Sequence, residues 1–327
     1  MKIRELLDGI RKFDLVLPEF QREYVWELEQ AKQLLVSLYR GYPTGSLLFW
    51  RTDNPPEIKN DAVDRSKIGT TCVILDGQQR LTTLYLLLRN AMPPFYLEND
   101  IGRDPRHLYF DLETGDFQYY QKTRMQSNPC WIPVVRCFDE AKQINVFEIA
   151  KQKGSEKEDP FQLAQVFTDH ITRLRNIFEK ELPEQYVPQT ADIDDAIDVF
   201  DRVNSLGTKL TDAELALAHV CGKWPQARQV MKEKIAELEQ RHFYFDLSFV
   251  VRCLTCVVRQ RALFEAIDDD TFETVSLEIP VRLANVSAPE RGQNGEAKET
   301  AALCKRIRGK KVIINIVALD KYCCSVV

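Results

Sequence analysis

Cys72-Val-Ile-Leu-Asp-Gly-Gln-Gln-Arg-Leu-Thr-Thr-Leu84 is the stretch on which the fold turns. The β-prone run Cys72–Leu75 ends abruptly in Asp76-Gly77, after which Leu81, Leu84, Tyr85 and Leu88 recur at helical spacing to about Asn90. A buried strand therefore feeds directly into a helix, and the junction holds a carboxylate, a glycine, two amides and a guanidinium. The first turn of a helix has unpaired N–H groups and a partial positive charge, so such a junction suits an anion. Gly77 permits a close backbone approach, and Arg80 has the fork that grips phosphate oxygens in pairs. Asp76 suits a metal ion or an oriented water, and Gln78 and Gln79 both donate and accept hydrogen bonds. The same residues also have a purely structural interpretation, with Asp76 as an N-cap, Gly77 as a turn residue and Arg80 facing an acid. No G-x-x-x-x-G-K-[ST] phosphate loop is present.

Working outward, Ile3, Leu6, Leu7 and Ile10 mark a short amphipathic helix, and Leu15-Val-Leu-Pro18 reads as extended because the residue before proline avoids the helical region. A helix from about Glu27 to Arg40 is stopped by Gly41, and Ser46–Trp50 reads as a strand. His107–Leu112 and Asp116–Gln121 flank Glu113-Thr-Gly115 as a hairpin. From about Cys137 helices take over: Asp139–Gln152, Pro160–Glu181, Ile193–Asn204, Thr211–Lys223, Pro225–Arg241 and Leu247–Arg259. The expected fold class is α+β. An α/β domain is expected over residues 1–136 and an all-helical domain over 137–286. A linker with a basic carboxy-terminal tail follows over 287–327.

Composition narrows the function classes. With 327 residues, 44% hydrophobic and 28% charged, the chain is ordinary globular material rather than disordered. No apolar run approaches the ~20 residues of a bilayer span, so no membrane partner is expected. The opening Met-Lys-Ile-Arg-Glu-Leu-Leu-Asp puts acids where a secretory leader would be apolar, which points to the cytoplasm. Nine scattered cysteines, with a lone Cys253-x-x-Cys256, read as reduced thiols and leave zinc without four ligands. The histidines at 107, 170, 219 and 242 share no metal or nucleophile spacing, so no histidine-metal nuclease is visible. The net charge of −5 divides unevenly: residues 301–327 hold six bases and one acid, and residues 1–300 hold 38 bases and 48 acids. An acidic body does not attract nucleic acid by bulk charge, so any DNA contact needs a local patch or a partner.

Two further clusters stand out. Leu17-Pro-Glu-Phe-Gln-Arg-Glu-Tyr-Val-Trp26 sets Gln21 and Arg22 among aromatics, as a stacking platform for a base or as part of the core. Phe200-Asp-Arg-Val-Asn-Ser-Leu-Gly-Thr-Lys-Leu-Thr-Asp-Ala-Glu-Leu215 reads as a helix stop and restart, with Asn204 and Gly207 closing one helix and Thr211 with Glu214 capping the next.

Taken in order, P-x-F-Q-R-x-Y-V-W, then G-Y-P-T-G-S-L-L-F-W at Gly41–Trp50, then L-D-G-Q-Q-R-L-T-T-L at Leu75–Leu84, then F-D-R-V-N-S-L-G-T-K-L at Phe200–Leu210 closely resembles the amino-terminal domain family of GmrSD-type restriction endonucleases, over about residues 1–220. The resemblance implies a ParB/sulfiredoxin-like α+β nucleotide-binding domain followed by a helical region, in a system that restricts modified DNA or defends against phage. It associates D-G-Q-Q-R with binding and hydrolysis of a nucleoside triphosphate with Mg²⁺. Carried over, this makes Asp76, Gln79 and Arg80 the catalytic candidates and Gln21, Arg22, Gly77 and Gln78 the nucleotide-binding ones, with Asp76 toward Mg²⁺. Many relatives continue into an HNH nuclease domain, which is not expected within this chain, so a nuclease domain or subunit and DNA are the expected partners. The alternatives are a non-catalytic DNA-binding or scaffolding module, with Lys305–Lys311 as its phosphate contact, or a truncated fragment. Oligomeric state is left open.

Overall fold

A computed structural model describes residues 1–259 apart from 64–68, 140, 142, 155–158, 205–211, 225–226, 241 and 243. The linker 287–299, the basic tail, Gly207 and the Thr211–Glu214 cap lie outside the described residues. The chain divides into two compact units, residues 1–200 and residues from 201 onward.

The first unit starts with α1 (Ile3–Lys12), whose Ile3, Leu6, Leu7 and Ile10 are wholly buried, the three-and-four spacing that gives a helix one apolar stripe. Strand β1 (Leu15–Val16) follows, then α2 (Leu28–Arg40), which ends at Gly41 with a left-handed φ of 80°. Strand β2 (Leu47–Thr52) is buried at every position but Arg51, and β3 (Thr71–Asp76) is the apolar run that precedes the junction. Helix α3 (Gln78–Arg89) is buried along almost its entire length, including Leu81, Leu84, Leu86 and Leu87. A second sheet contains β4 (Leu108–Asp111) and β5 (Phe117–Tyr119), the expected hairpin. Its third strand, β6 (Trp131–Pro133), follows the short helix α4 (Lys122–Met125) and gives the order β5-β4-β6. After α5 (Val134–Cys137) come α6 (Val146–Lys153) and α7 (Pro160–Arg175), then β7 (Glu184–Val187) and α8 (Ile193–Asn204).

The main sheet has the order β1-β3-β2-β7. Strand β3 pairs in parallel with β1 (Val16↔Val73) and antiparallel with β2 (Phe49↔Ile74), and a bulge lies between Leu48 and Phe49, opposite the Asp76 end. A bulge re-aims the chain locally and is common beside functional sites. Strand β7 pairs in parallel with β2, Leu47↔Glu184 to Trp50↔Val187.

The second unit takes in the end of α8 and contains α9 (Asp212–Lys223), α10 (Ala227–Gln240) and α11 (Leu247–Arg259), which pack on one another, and Leu217, Met231 and Val251 on them are buried.

The α+β class is what the structure shows, and most expected elements fall within a few residues of their positions. Strand β7 is not among the expected elements: it lies between the expected helices Pro160–Glu181 and Ile193–Asn204, within the region expected to be all-helical, and it completes the main sheet. Glu184-Gln-Tyr-Val187 is short and lies between Pro183 and Pro188, so its pattern is too brief to reveal a partner strand more than 130 residues earlier. The pattern changes near residues 136–158, yet Ala150, Phe167, Ile171 and Leu174 join the same core as α1, α2 and α3. No helix among the described residues is long and apolar enough to cross a membrane.

Candidate functional site

The strand-to-helix junction is locked by sterics. Gly77 has φ 95°, and a Cβ there would sit 2.2 Å from Leu47 Cδ2. It begins α3 without a side-chain cap and with no acid in the first turn, so the helix presents its partial positive end bare.

Arg80 lies folded across this turn. Its Nη1 donates to Thr44 O (2.7 Å), and its Nη2 donates to Ser46 O (2.7 Å) and to Asp76 Oδ2 (2.9 Å). A Cβ on Gly45, at φ 82°, would lie 2.9 Å from Nη1, so both glycines leave room for one guanidinium. Burial pulls Arg80 below the usual arginine range, and the Asp76 carboxylate opposes that pull. The G-Y-P-T-G-S and D-G-Q-Q-R stretches are thereby one structure, joined by Arg80.

The amides join a third stretch. Gln21 is 3% exposed and donates from Nε2 to Leu75 O (2.8 Å) and Ile74 O (3.2 Å), at the end of β3. Gln78 Nε2 donates to Arg22 O (2.5 Å) and to the Tyr96 hydroxyl. Gln79 Oε1 accepts from Val25 N (2.9 Å) and Trp26 N (3.2 Å), while its Nε2 donates to Glu23 O (2.9 Å). With both lone pairs of Oε1 taken, Gln79 retains one N–H and no acceptor for a water. Tyr24 OH meets Thr83 Oγ1 at 2.9 Å, and burial pushes this phenol up to about 12.

Of the residues singled out in the sequence, Gln21, Arg22, Asp76, Gly77, Gln78, Gln79 and Arg80 all meet here, Arg22 through its backbone carbonyl. Asp76 is about one-third exposed and has one oxygen on Arg80. Phe20 and Tyr24 are core residues, and Trp26 packs partly buried against the same core. The Phe20 and Phe200 rings stand 5.7 Å apart, so Phe200, the last residue of the first unit, packs against the first stretch.

Two participants carried no signal in the sequence. Lys59 is fully buried; its Nζ donates to Gln21 O (2.9 Å) and lies 3.1 Å from Glu23 Oε1 and 5.9 Å from the Tyr96 ring centroid. Tyr96 closes the other side. A lysine in Pro55-Pro-Glu-Ile-Lys59 reads as a solvated loop residue, and only the fold encloses it.

A separate group of possible ligands, Asp111, Glu113 and Cys130, has donor atoms within 4.8 Å of one another. Both Asp111 oxygens already accept, from Glu113 N (3.0 Å) and Thr114 Oγ1 (3.2 Å), and Glu113 pairs with Lys153 at 2.9 Å. That arrangement is the turn of the β4–β5 hairpin.

Comparison with known proteins gives the family. Residues 3–221 match the family model described as GmrSD restriction endonuclease, N-terminal domain. An uncharacterised protein of Methanocaldococcus jannaschii is 24% identical over 246 residues, covering 66% of this chain and 41% of that protein. The chain thus spans about two-fifths of the length of that relative. By the extent of the matched segment, the chain belongs to the GmrSD restriction endonuclease N-terminal domain family.

Proposed function

We propose that the chain is the nucleotide-binding component of a DNA restriction or antiphage system, binding and hydrolysing a nucleoside triphosphate with Mg²⁺ at the α3 N-terminus. The observation that carries this reading is the convergence of three separated stretches on an uncapped helix start whose entry residue, Gly77, has no side chain. First-turn N–H groups and the Arg22 guanidinium would neutralise phosphates. Asp76 keeps Oδ1 beside its Arg80-bound Oδ2, which fits a Mg²⁺ held by one carboxylate and the substrate's own phosphates. Gln21, Gln78, Gln79 and Arg80 act here as positioning residues: each ties a neighbouring loop to the junction. A nuclease domain or subunit would act on the DNA, and the location is cytoplasmic.

Measuring hydrolysis with Mg²⁺ for the wild type, Asp76→Asn and Arg22→Gln tests the reading. Loss of at least tenfold in both variants is expected, and equal rates in all three would overturn it.

One observation favours a second reading, a binding or scaffolding module without turnover: the side chains of Gln21, Gln78, Gln79 and Arg80 are already hydrogen-bonded within the fold. Nucleotide binding without hydrolysis in the wild type would select it.

A further inference from the structure

The other end of α3 opens on a cavity of about 540 Å³, the size of a small-molecule site. A helix of this length puts it about 18 Å from Gly77. Its walls include Arg4, Arg89, Leu88, Val135, Phe138 and Phe178. Arg4 comes from α1 and Arg89 from the last turn of α3. Their guanidinium carbons lie 4.5 and 5.3 Å from the centroid of the same Phe178 ring, which meets Phe138 edge-on. Two full positive charges are therefore held over one buried ring.

Their counter-charges are shared. Glu179 answers both Lys2 (3.0 Å) and Arg4 (3.0 Å), and Asp8 answers both Arg11 (3.6 Å) and Arg89 (2.7 Å). Arg4 is engaged only through Nε and Arg89 only through Nη2, so among the described residues both Nη groups of Arg4 and the Nε and Nη1 of Arg89 remain available. Besides these two acids, two further groups oppose an anion here. Asp139 on the wall accepts from Ala141 N through Oδ1 (3.0 Å), and the negative end of α3 is a fraction of a charge already faced by Arg89.

We infer that this cavity is a second ligand site, for a small organic phosphate whose head is gripped by Arg4 and Arg89 and whose apolar body lies against Leu88, Val135 and Phe138. Paired guanidinium forks match phosphate oxygens in geometry and charge. The apolar wall distinguishes an ester from free phosphate.

Equilibrium dialysis of the full chain against phenyl phosphate and, separately, inorganic phosphate tests this. Phenyl phosphate should bind at least about tenfold more tightly, because its ring leaves water. Arg4→Gln combined with Arg89→Gln should weaken it at least tenfold, whereas Arg22→Gln at the other end of α3 should change it less than twofold. Should the double variant melt early, Val135→Glu, which leaves both arginines in place and sets a carboxylate in the wall, should produce the same loss. Absence of binding overturns the site. Loss with Arg22→Gln alone overturns it too, by assigning the phosphate to the Gly77 end. Equal affinity for the two probes overturns the organic body.

Discussion

The two ends of α3 each present an arginine, and the two are treated in opposite ways. At the amino end, Arg80 is sunk against Thr44, Ser46 and Asp76, with three acceptors fixed and two glycines cleared to admit it. At the carboxy end, Arg89 lies over Phe178 with one acid partner and further donors to offer. An arginine used up in backbone contacts organises a site; one held by a ring and a shared acid can receive a ligand. The difference also separates stability from binding, since a buried polar group stripped of its partner costs far more than a half-exposed one.

The largest expected effect breaks the amino end. Gly77→Ala puts a methyl group into Leu47 and an L-residue at φ 95°, so it should cost about 3–4 kcal/mol in chemical denaturation. Adding Leu47→Ala should not restore the wild-type midpoint, because the backbone strain remains. Arg80→Met comes next: it leaves two carbonyls and Asp76 without their donor and should cost about 2–4 kcal/mol, a loss that Arg80→Lys repairs only in part. If Arg80→Met melts like the wild type, the contrast between the two arginines fails.

A smaller effect belongs to Tyr24, which ties the Gln21–Trp26 stretch to α3. Its folded value of about 12 lies above the ordinary 10, so the native protein keeps a proton that the unfolded chain releases. Its stabilising contribution is complete below about pH 10 and declines as pH rises toward 12. Tyr24→Phe should therefore lose about 1 kcal/mol at pH 8 with its Thr83 partner, and show a shallower fall in stability above pH 10. The smallest effect sharpens the carboxy end. Glu179→Gln removes a surface partner of Arg4, so the melting midpoint should stay within about 2 °C while phenyl phosphate binds several-fold more tightly. Unchanged affinity would mean that Glu179 and a ligand do not compete for Arg4.

Much of this was legible beforehand. The run Cys72–Leu84 specifies strand, turn and helix from its own periodicity and its glycine, and seven candidate residues do converge. The roles were less legible. Gln79 is a catalytic candidate in the sequence as a group that both donates and accepts, and its acceptor is taken by Val25 and Trp26, residues over fifty positions earlier. Lys59 showed no pattern, since burial of a loop lysine depends on which carbonyl and ring happen to enclose it. The Arg4–Arg89–Phe178 cavity is assembled from three distant positions, and no local spacing announces it.

The amino-acid sequence by itself determined most of the elements, though not strands β6 and β7, and the special backbone position at Gly77, because helical and strand periods and the steric limits on φ are local properties. Only the tertiary structure decided which polar groups are occupied and which are open. That distinction depends on desolvation and on partners brought together from distant parts of the chain: Arg80 found its acceptors in the Thr44–Ser46 loop, while Arg89 found a ring and half of an acid.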